Sequence, residues 1–131
     1  MSDQVRLQEL SNQALAYLGD SVLELMVRAH LVRRGLTTAA HLNAAARDYV
    51  TAPRQAAAME RIAPHLSEEE TAIYRRGRNN IHAAAPKSAT VGQYRAATGM
   101  ECLFGALYLE GKTDRMNELF SLAFPDADTP Q

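Results

Sequence analysis

Two apolar stretches, each carrying an acidic residue and a glycine, constrain this chain more than any other feature. The first is Ala14-Leu15-Ala16-Tyr17-Leu18-Gly19-Asp20-Ser21-Val22-Leu23-Glu24-Leu25-Met26-Val27. The second is Met100-Glu101-Cys102-Leu103-Phe104-Gly105-Ala106-Leu107-Tyr108-Leu109. Stretches apolar on nearly every side read as central, buried helices. A carboxylate inside such a helix is costly unless it is hydrogen-bonded, paired or on a metal. Glycine in mid-helix costs about 1 kcal/mol relative to alanine, so a packing reason is expected at Gly19 and Gly105. Close approach of the two helices supplies that reason and would bring Asp20 and Glu101 together.

The rest of the chain also reads as helix, with alanine abundant and period-two β-branched runs missing. The expected fold class is all-α, a helical bundle. Leu7, Leu10, Ala14, Leu18, Val22, Leu25 and Ala29 step by three or four and predict a first helix over 5–34, with a break near Gln13. Gly35 follows as its C-cap, after Arg33 and Arg34. A second helix is expected from Thr38 to Val50, and a third from Thr51-Ala52-Pro53 to Ile62. Pro64-His65-Leu66 reads as a connector. Ser67 and Glu70 form a capping box that opens a fourth helix, running to Arg76. Gly77, Asn79, Asn80, Pro86 and Ser88 mark 77–90 as a loop. A fifth helix starts near Val91 or Tyr94 and ends at Leu109, before Gly111. A short helix over 113–122 completes the series, and 123–131 is expected to fray. No linker divides the 131 residues, so one domain over 1–131 is expected.

Lys and Arg number 14 against 15 Asp and Glu, a net charge of −1, which excludes a globally basic nucleic-acid binder. The charge is nevertheless segregated. From Thr71 to Met100 no acid occurs, while Arg75, Arg76, Arg78, Lys87 and Arg95 do. That stretch suits either phosphate contact or a solvated surface paired with acids elsewhere. The lone Cys102 excludes a disulfide framework and a cysteine zinc site, and fits a reducing, cytoplasmic location. It reads as a packed thiol. No apolar run is long enough for a membrane span, and the N-terminus lacks an apolar signal core. His30, His41, His65 and His82 show no zinc-type spacing.

Asp20 and Glu101, without cysteine or paired histidine, suit a hard cation such as Mg²⁺. Such an ion keeps waters available for phosphodiester hydrolysis. The structural alternative is a buried carboxylate that caps a helix or pairs with Arg28 or Arg95, and the residues alone leave both open. Glu24, one turn after Asp20, reads as solvent-facing.

Ala14 to Leu25 resembles the signature helix of the ribonuclease III catalytic domain, and Glu101 to Leu109 resembles that domain's second acidic helix. Arg75-Arg76-Gly77-Arg78-Asn79, Pro86-Lys87, and Tyr94-Arg95 with Thr98 are most similar to the Mini-ribonuclease III branch, which lacks a separate double-stranded-RNA-binding domain. The resemblance covers nearly the whole chain. It implies an all-α, Mg²⁺-dependent endoribonuclease acting as a homodimer on double-stranded RNA. The implied task is rRNA processing in ribosome biogenesis, maturing 23S rRNA precursor ends to leave 5′-phosphate and 3′-hydroxyl termini. A ribosomal protein is a further implied partner. Residue by residue, it implies a catalytic and metal-binding role for Asp20 and Glu101. It implies a dimer-interface role for Tyr17 and RNA binding by Arg75, Arg76, Arg78, Asn79, Lys87 and Arg95. Three acidic positions of the larger ribonucleases III are Gln13, Ala16 and Thr98 here, so other oxygens would complete the metal shell. A non-catalytic RNA-binding or ribosome-associated module on the same scaffold is the alternative.

Overall fold

The computed structural model describes residues 6–79 and 89–125, and among these every regular element is a helix. A short 3₁₀ turn, Leu7–Glu9, precedes α1, Asn12–Arg33. Next come α2, Ala39–Tyr49, and α3, Ala52–Ile62. A 3₁₀ turn, Ala63–His65, leads into α4, Glu68–Asn79. The last two helices are α5, Val91–Leu109, and α6, Thr113–Ala123.

Local chemistry sets these boundaries. Side-chain oxygens of Ser11, Thr38, Thr51 and Thr90 accept from backbone N–H groups at the starts of α1, α2, α3 and α5, relieving donors that have no partner inside the helix. The break expected near Gln13 falls slightly earlier, at Leu10–Ser11, because Ser11 supplies the cap. Ser67 and Glu70 close the expected capping box, Glu70 N–H to Ser67 Oγ at 3.1 Å and Ser67 N–H to a Glu70 oxygen at 2.8 Å.

Two expectations change. The fourth helix does not stop at Arg76 but runs through Gly77 and Arg78 to Asn79, so these residues are helical rather than loop. Gly77 is buried where α4 crosses α5, and a Cβ there would lie 2.7 Å from the Cys102 sulfur. The tail expected to fray from residue 123 is packed at its start, since Ala123 and Phe124 are fully buried. The rest of the expected loop and tail, 80–88 and 126–131, lies outside the described residues.

α5 is the axis of the bundle. From Ala97 to Leu107 nearly every residue is buried, because α1, α3, α4 and α6 all pack against it. Its Met100, Leu103, Phe104 and Leu107 share one core with Leu23 and Val27 of α1, Ile62 of α3 and Leu119 of α6. α1 is buried on one side only. Leu15, Gly19, Val22, Leu23, Val27 and Leu31 face inward, whereas Tyr17, Asp20, Ser21, Leu25, Arg28 and Val32 face out.

The α1–α5 crossing is closer than ordinary side chains permit. A Cβ on Gly19 would sit 1.6 Å from the Glu101 carbonyl oxygen, and one on Gly105 would sit 2.4 Å from the Leu15 carbonyl oxygen. Both obstacles are backbone, so neither can rotate away. The two mid-helix glycines therefore exist to let two backbones touch.

Arg115 ties α6 to the start of α4. Its guanidinium donates to both Glu70 oxygens at 2.7 and 2.8 Å, to the His65 carbonyl at 2.8 Å, and to Glu118. This fork holds the Glu70 carboxyl down at about 2, from an ordinary value of 4.5. A depressed carboxylate stabilises the fold above its unfolded value, and that contribution is lost as pH falls from 4.5 through 2.

Gly19→Ala should destabilise the protein by ~3 kcal/mol or more, since the added methyl must force the helices apart. Urea denaturation measures this; a loss under about 0.5 kcal/mol would mean that the crossing is looser than its backbone contacts imply.

Candidate functional site

The crossing places Asp20, directly after Gly19, against Glu101, whose carbonyl Gly19 touches. Helices α1 and α5 thus deliver two carboxyls far apart in sequence to one spot. The expectation that Asp20 is enclosed by apolar neighbours needs correcting: it lies on the outward edge of α1 and is exposed. Glu101 is partly buried behind it. Burial in the first place, then the charge of Asp20 and a hydrogen bond with it, raise the Glu101 carboxyl from 4.5 to about 8. Desolvation disfavours the carboxylate, and a second carboxylate alongside disfavours it further.

Neither acid has an arginine partner among the described residues. Arg28, one of the two candidates, pairs instead with Glu24 at 2.6 Å, so Glu24 is an ion-pair member on the surface. Arg95, the other, is exposed on α5. An uncompensated carboxyl pair at a solvent-facing crossing is unfavourable for a purely structural feature. It suits a divalent cation, which would neutralise both groups and accepts oxygen ligands with waters filling the remaining positions. Among the described residues, no group of three or more His, Cys, Asp and Glu side chains is arranged around a common point. Thr98, one turn before Glu101, donates its hydroxyl to the Tyr94 carbonyl at 3.2 Å.

Cys102, beside Glu101, is fully buried and donates to the Asn12 carbonyl at 3.3 Å. Burial pushes its thiol up to about 11, which keeps it protonated and unreactive at neutral pH, as expected of a packed thiol.

The expected RNA-contacting residues divide into groups. Arg75 and Asn79 are exposed on α4, and Arg95 is exposed on α5. Arg78 is half-buried, and its Nε donates to Asn79 Oδ1 at 3.1 Å. Arg76 turns away from this group. Its guanidinium donates to the Leu7 carbonyl at 3.3 Å, the Leu10 carbonyl at 3.1 Å and Asn12 Oδ1, tying the chain before α1 to α4. Lys87 lies outside the described residues. Tyr17 is 83% exposed on α1, near Asp20 in the sequence.

The Arg76 anchor and the Arg115–Glu70 fork have no signature in the sequence. Each joins elements far apart along the chain, and no local spacing announces either. A hint existed only for Glu70, through its capping box.

The chain is similar to known proteins. The Ribonuclease III domain family model matches residues 13–112. The Mini-ribonuclease 3 of Symbiobacterium thermophilum is 44% identical over 109 residues, covering 83% of this chain and 84% of that protein. The Mini-ribonuclease 3 of Desulfitobacterium hafniense is 46% identical over 109 residues, covering 83% and 69%. The crystal structure of protein FN1578 from Fusobacterium nucleatum superposes with a TM-score of 0.82 at 29% identity, covering 91% of this chain and 95% of that one. A shared fold, a matching domain model and relatives of this likeness place the chain in the ribonuclease III family, in its Mini-ribonuclease 3 branch, and so among the endoribonucleases.

Proposed function

We propose that the protein is a Mg²⁺-dependent endoribonuclease that cuts double-stranded RNA, with Asp20 and Glu101 as the metal-holding catalytic pair. The observation that carries this reading is their meeting at the α1–α5 crossing, where neither has an arginine partner among the described residues. When bound, the ion supplies positive charge beside the phosphoryl group and acidifies a water. The chain's own contribution is positional. Backbone contact at Gly19 fixes the α1–α5 separation, and Asp20 on the outer edge gives the site access to RNA.

Arg75, Arg78 and Asn79 of α4 with Arg95 of α5 hold the RNA backbone, joined by Lys87 on the sequence reading. Double-stranded RNA is recognised through phosphates, 2′-hydroxyls and shape, which suits a small patch of donors. Arg76 has a scaffolding role, since its donors serve the N-terminal segment. Few phosphate contacts per subunit imply modest, salt-sensitive affinity.

A homodimer forms through the outer face of α1. Tyr17, Leu25 and Val32 are 83%, 65% and 60% exposed there, and their spacing of eight and seven residues draws an apolar stripe along the helix. Pairing across that stripe puts two carboxyl sites on one assembly, one for each strand. The substrate is the 23S rRNA precursor, by likeness to the branch. No helix among the described residues is long and apolar enough to cross a membrane.

Asp20→Asn and Glu101→Gln should each abolish Mg²⁺-dependent cleavage of a labelled RNA duplex while preserving the fold and the dimer. Full activity in either purified variant would refute the pair's role. A second expectation follows from the raised Glu101 carboxyl. Its folded value lies above its unfolded one, so it costs stability as pH rises from 4.5 through about 8. In EDTA, Glu101→Gln should therefore melt above the parent protein at about pH 9, with the gap closing toward about pH 5. Added Mg²⁺ should raise the Tm of the parent only. An equal Mg²⁺ effect on both proteins would place the ion elsewhere.

A further inference from the structure

Tyr74 has no part in the carboxyl site, yet it lies between the RNA-facing edge of α4 and the helix that carries Glu101. Its ring packs against the α5 backbone at Gly99. A Cβ on Gly99 would lie 2.6 Å from two of the ring carbons, so only glycine admits the ring there. The Arg78 guanidinium carbon lies 5.5 Å from the ring centroid, within cation–π range. Arg78 Nε is separately engaged by Asn79 Oδ1 at 3.1 Å. An arginine on a surface helix ordinarily samples many rotamers, and ordering one costs up to about 2 kcal/mol of side-chain entropy. Here the ring behind it and the amide beside it fix the side chain in advance. Arg78 Nε is occupied, and no described residue takes hydrogen bonds from the two terminal nitrogens, the pair that can grip a phosphate bidentately.

Register adds to this. Gly99 stands two residues before Glu101, and Arg95 stands one turn before Gly99 on the same helix. The Gly99–Tyr74–Arg78 stack thereby fixes Arg78 relative to α5.

We propose that Tyr74 is a positioning residue for substrate, presetting the Arg78 guanidinium to grip an RNA phosphate at a fixed offset from Glu101. The proposal rests on the reading of Arg78 as an RNA contact. Tyr74 itself touches no RNA.

The test is duplex binding in EDTA, where no cleavage interferes, measured across a salt series with a fluorescently labelled blunt RNA duplex. Loss of a phosphate contact and loss of presetting differ in the slope of log affinity against log salt. Arg78→Ala should weaken binding and flatten that slope by about one counterion. Tyr74→Leu should weaken binding about two- to fivefold, the range of an exposed cation–π contact, with the slope unchanged. Tyr74→Phe, which keeps the ring, should restore parental affinity.

A double-mutant cycle separates presetting from a general packing defect. In an Arg78→Ala background, Tyr74→Leu should have no further effect on affinity. Persistence of its effect there, or a Tyr74→Phe variant as weak as Tyr74→Leu, would overturn the proposal. Should Tyr74→Leu fail to fold, Arg78→Lys serves instead. It keeps the charge but loses the planar stack and the Nε bond, so it should weaken binding at constant slope, and parental affinity in Arg78→Lys would overturn the proposal. An Arg78→Ala variant with parental affinity and slope would remove the RNA contact and the proposal with it, while leaving the Asp20–Glu101 assignment untouched.

Discussion

Everything in this molecule that bears on chemistry depends on two helix backbones in direct contact. Gly19 of α1 lies against the carbonyl of Glu101 on α5, and Gly105 of α5 lies against the carbonyl of Leu15 on α1. Because a single methyl group at Gly19 cannot be accommodated, the separation of the helices is set by backbone rather than by side chains that could repack. Asp20 and Glu101 inherit that separation. Burial, then the charge of Asp20 and a hydrogen bond with it, raise the Glu101 carboxyl.

Around that contact, polar groups divide into those that build and those that face outward. Arg76, Arg115 and Glu70 are spent within the fold. Arg76 anchors the segment before α1, and Arg115 with Glu70 anchors α6 to α4. Arg75, Asn79 and Arg95 face solvent from the same pair of helices, α4 and α5. The acid-free stretch of the sequence is therefore not uniformly solvent-facing. Arg76 is engaged by the segment before α1, while Arg75 just before it points to solvent. Helical geometry explains this alternation, since successive residues on α4 point about 100° apart.

Much of this was legible in the sequence, for identifiable reasons. The all-α class, the caps at Ser67 and near Thr38 and Thr51, and the close approach at Gly19 and Gly105 follow from local rules of spacing and capping. So did the pairing of Asp20 with Glu101, because a glycine within about a turn of an acid in each of two apolar helices points to backbones that cross closely there. The exposure of Asp20 was not legible. Apolar Tyr17 and Leu25 make α1 look buried all round, whereas with Val32 they form an open stripe, and hydrophobicity alone does not distinguish a core face from an exposed one. The end of α4 was misjudged because Gly77 reads as a helix terminator, while its burial against Cys102 makes it a packing residue inside the helix. The Arg76 anchor and the Arg115 fork required the tertiary structure itself.

The most direct test of the carboxyl pair as a metal site is a crystal soaked in Mn²⁺, with the ion located by its anomalous scattering. A peak within coordination distance of both the Asp20 and the Glu101 carboxylates is the predicted result. Peaks elsewhere only, with the two carboxyls still hydrogen-bonded to each other at saturating Mn²⁺, would contradict it.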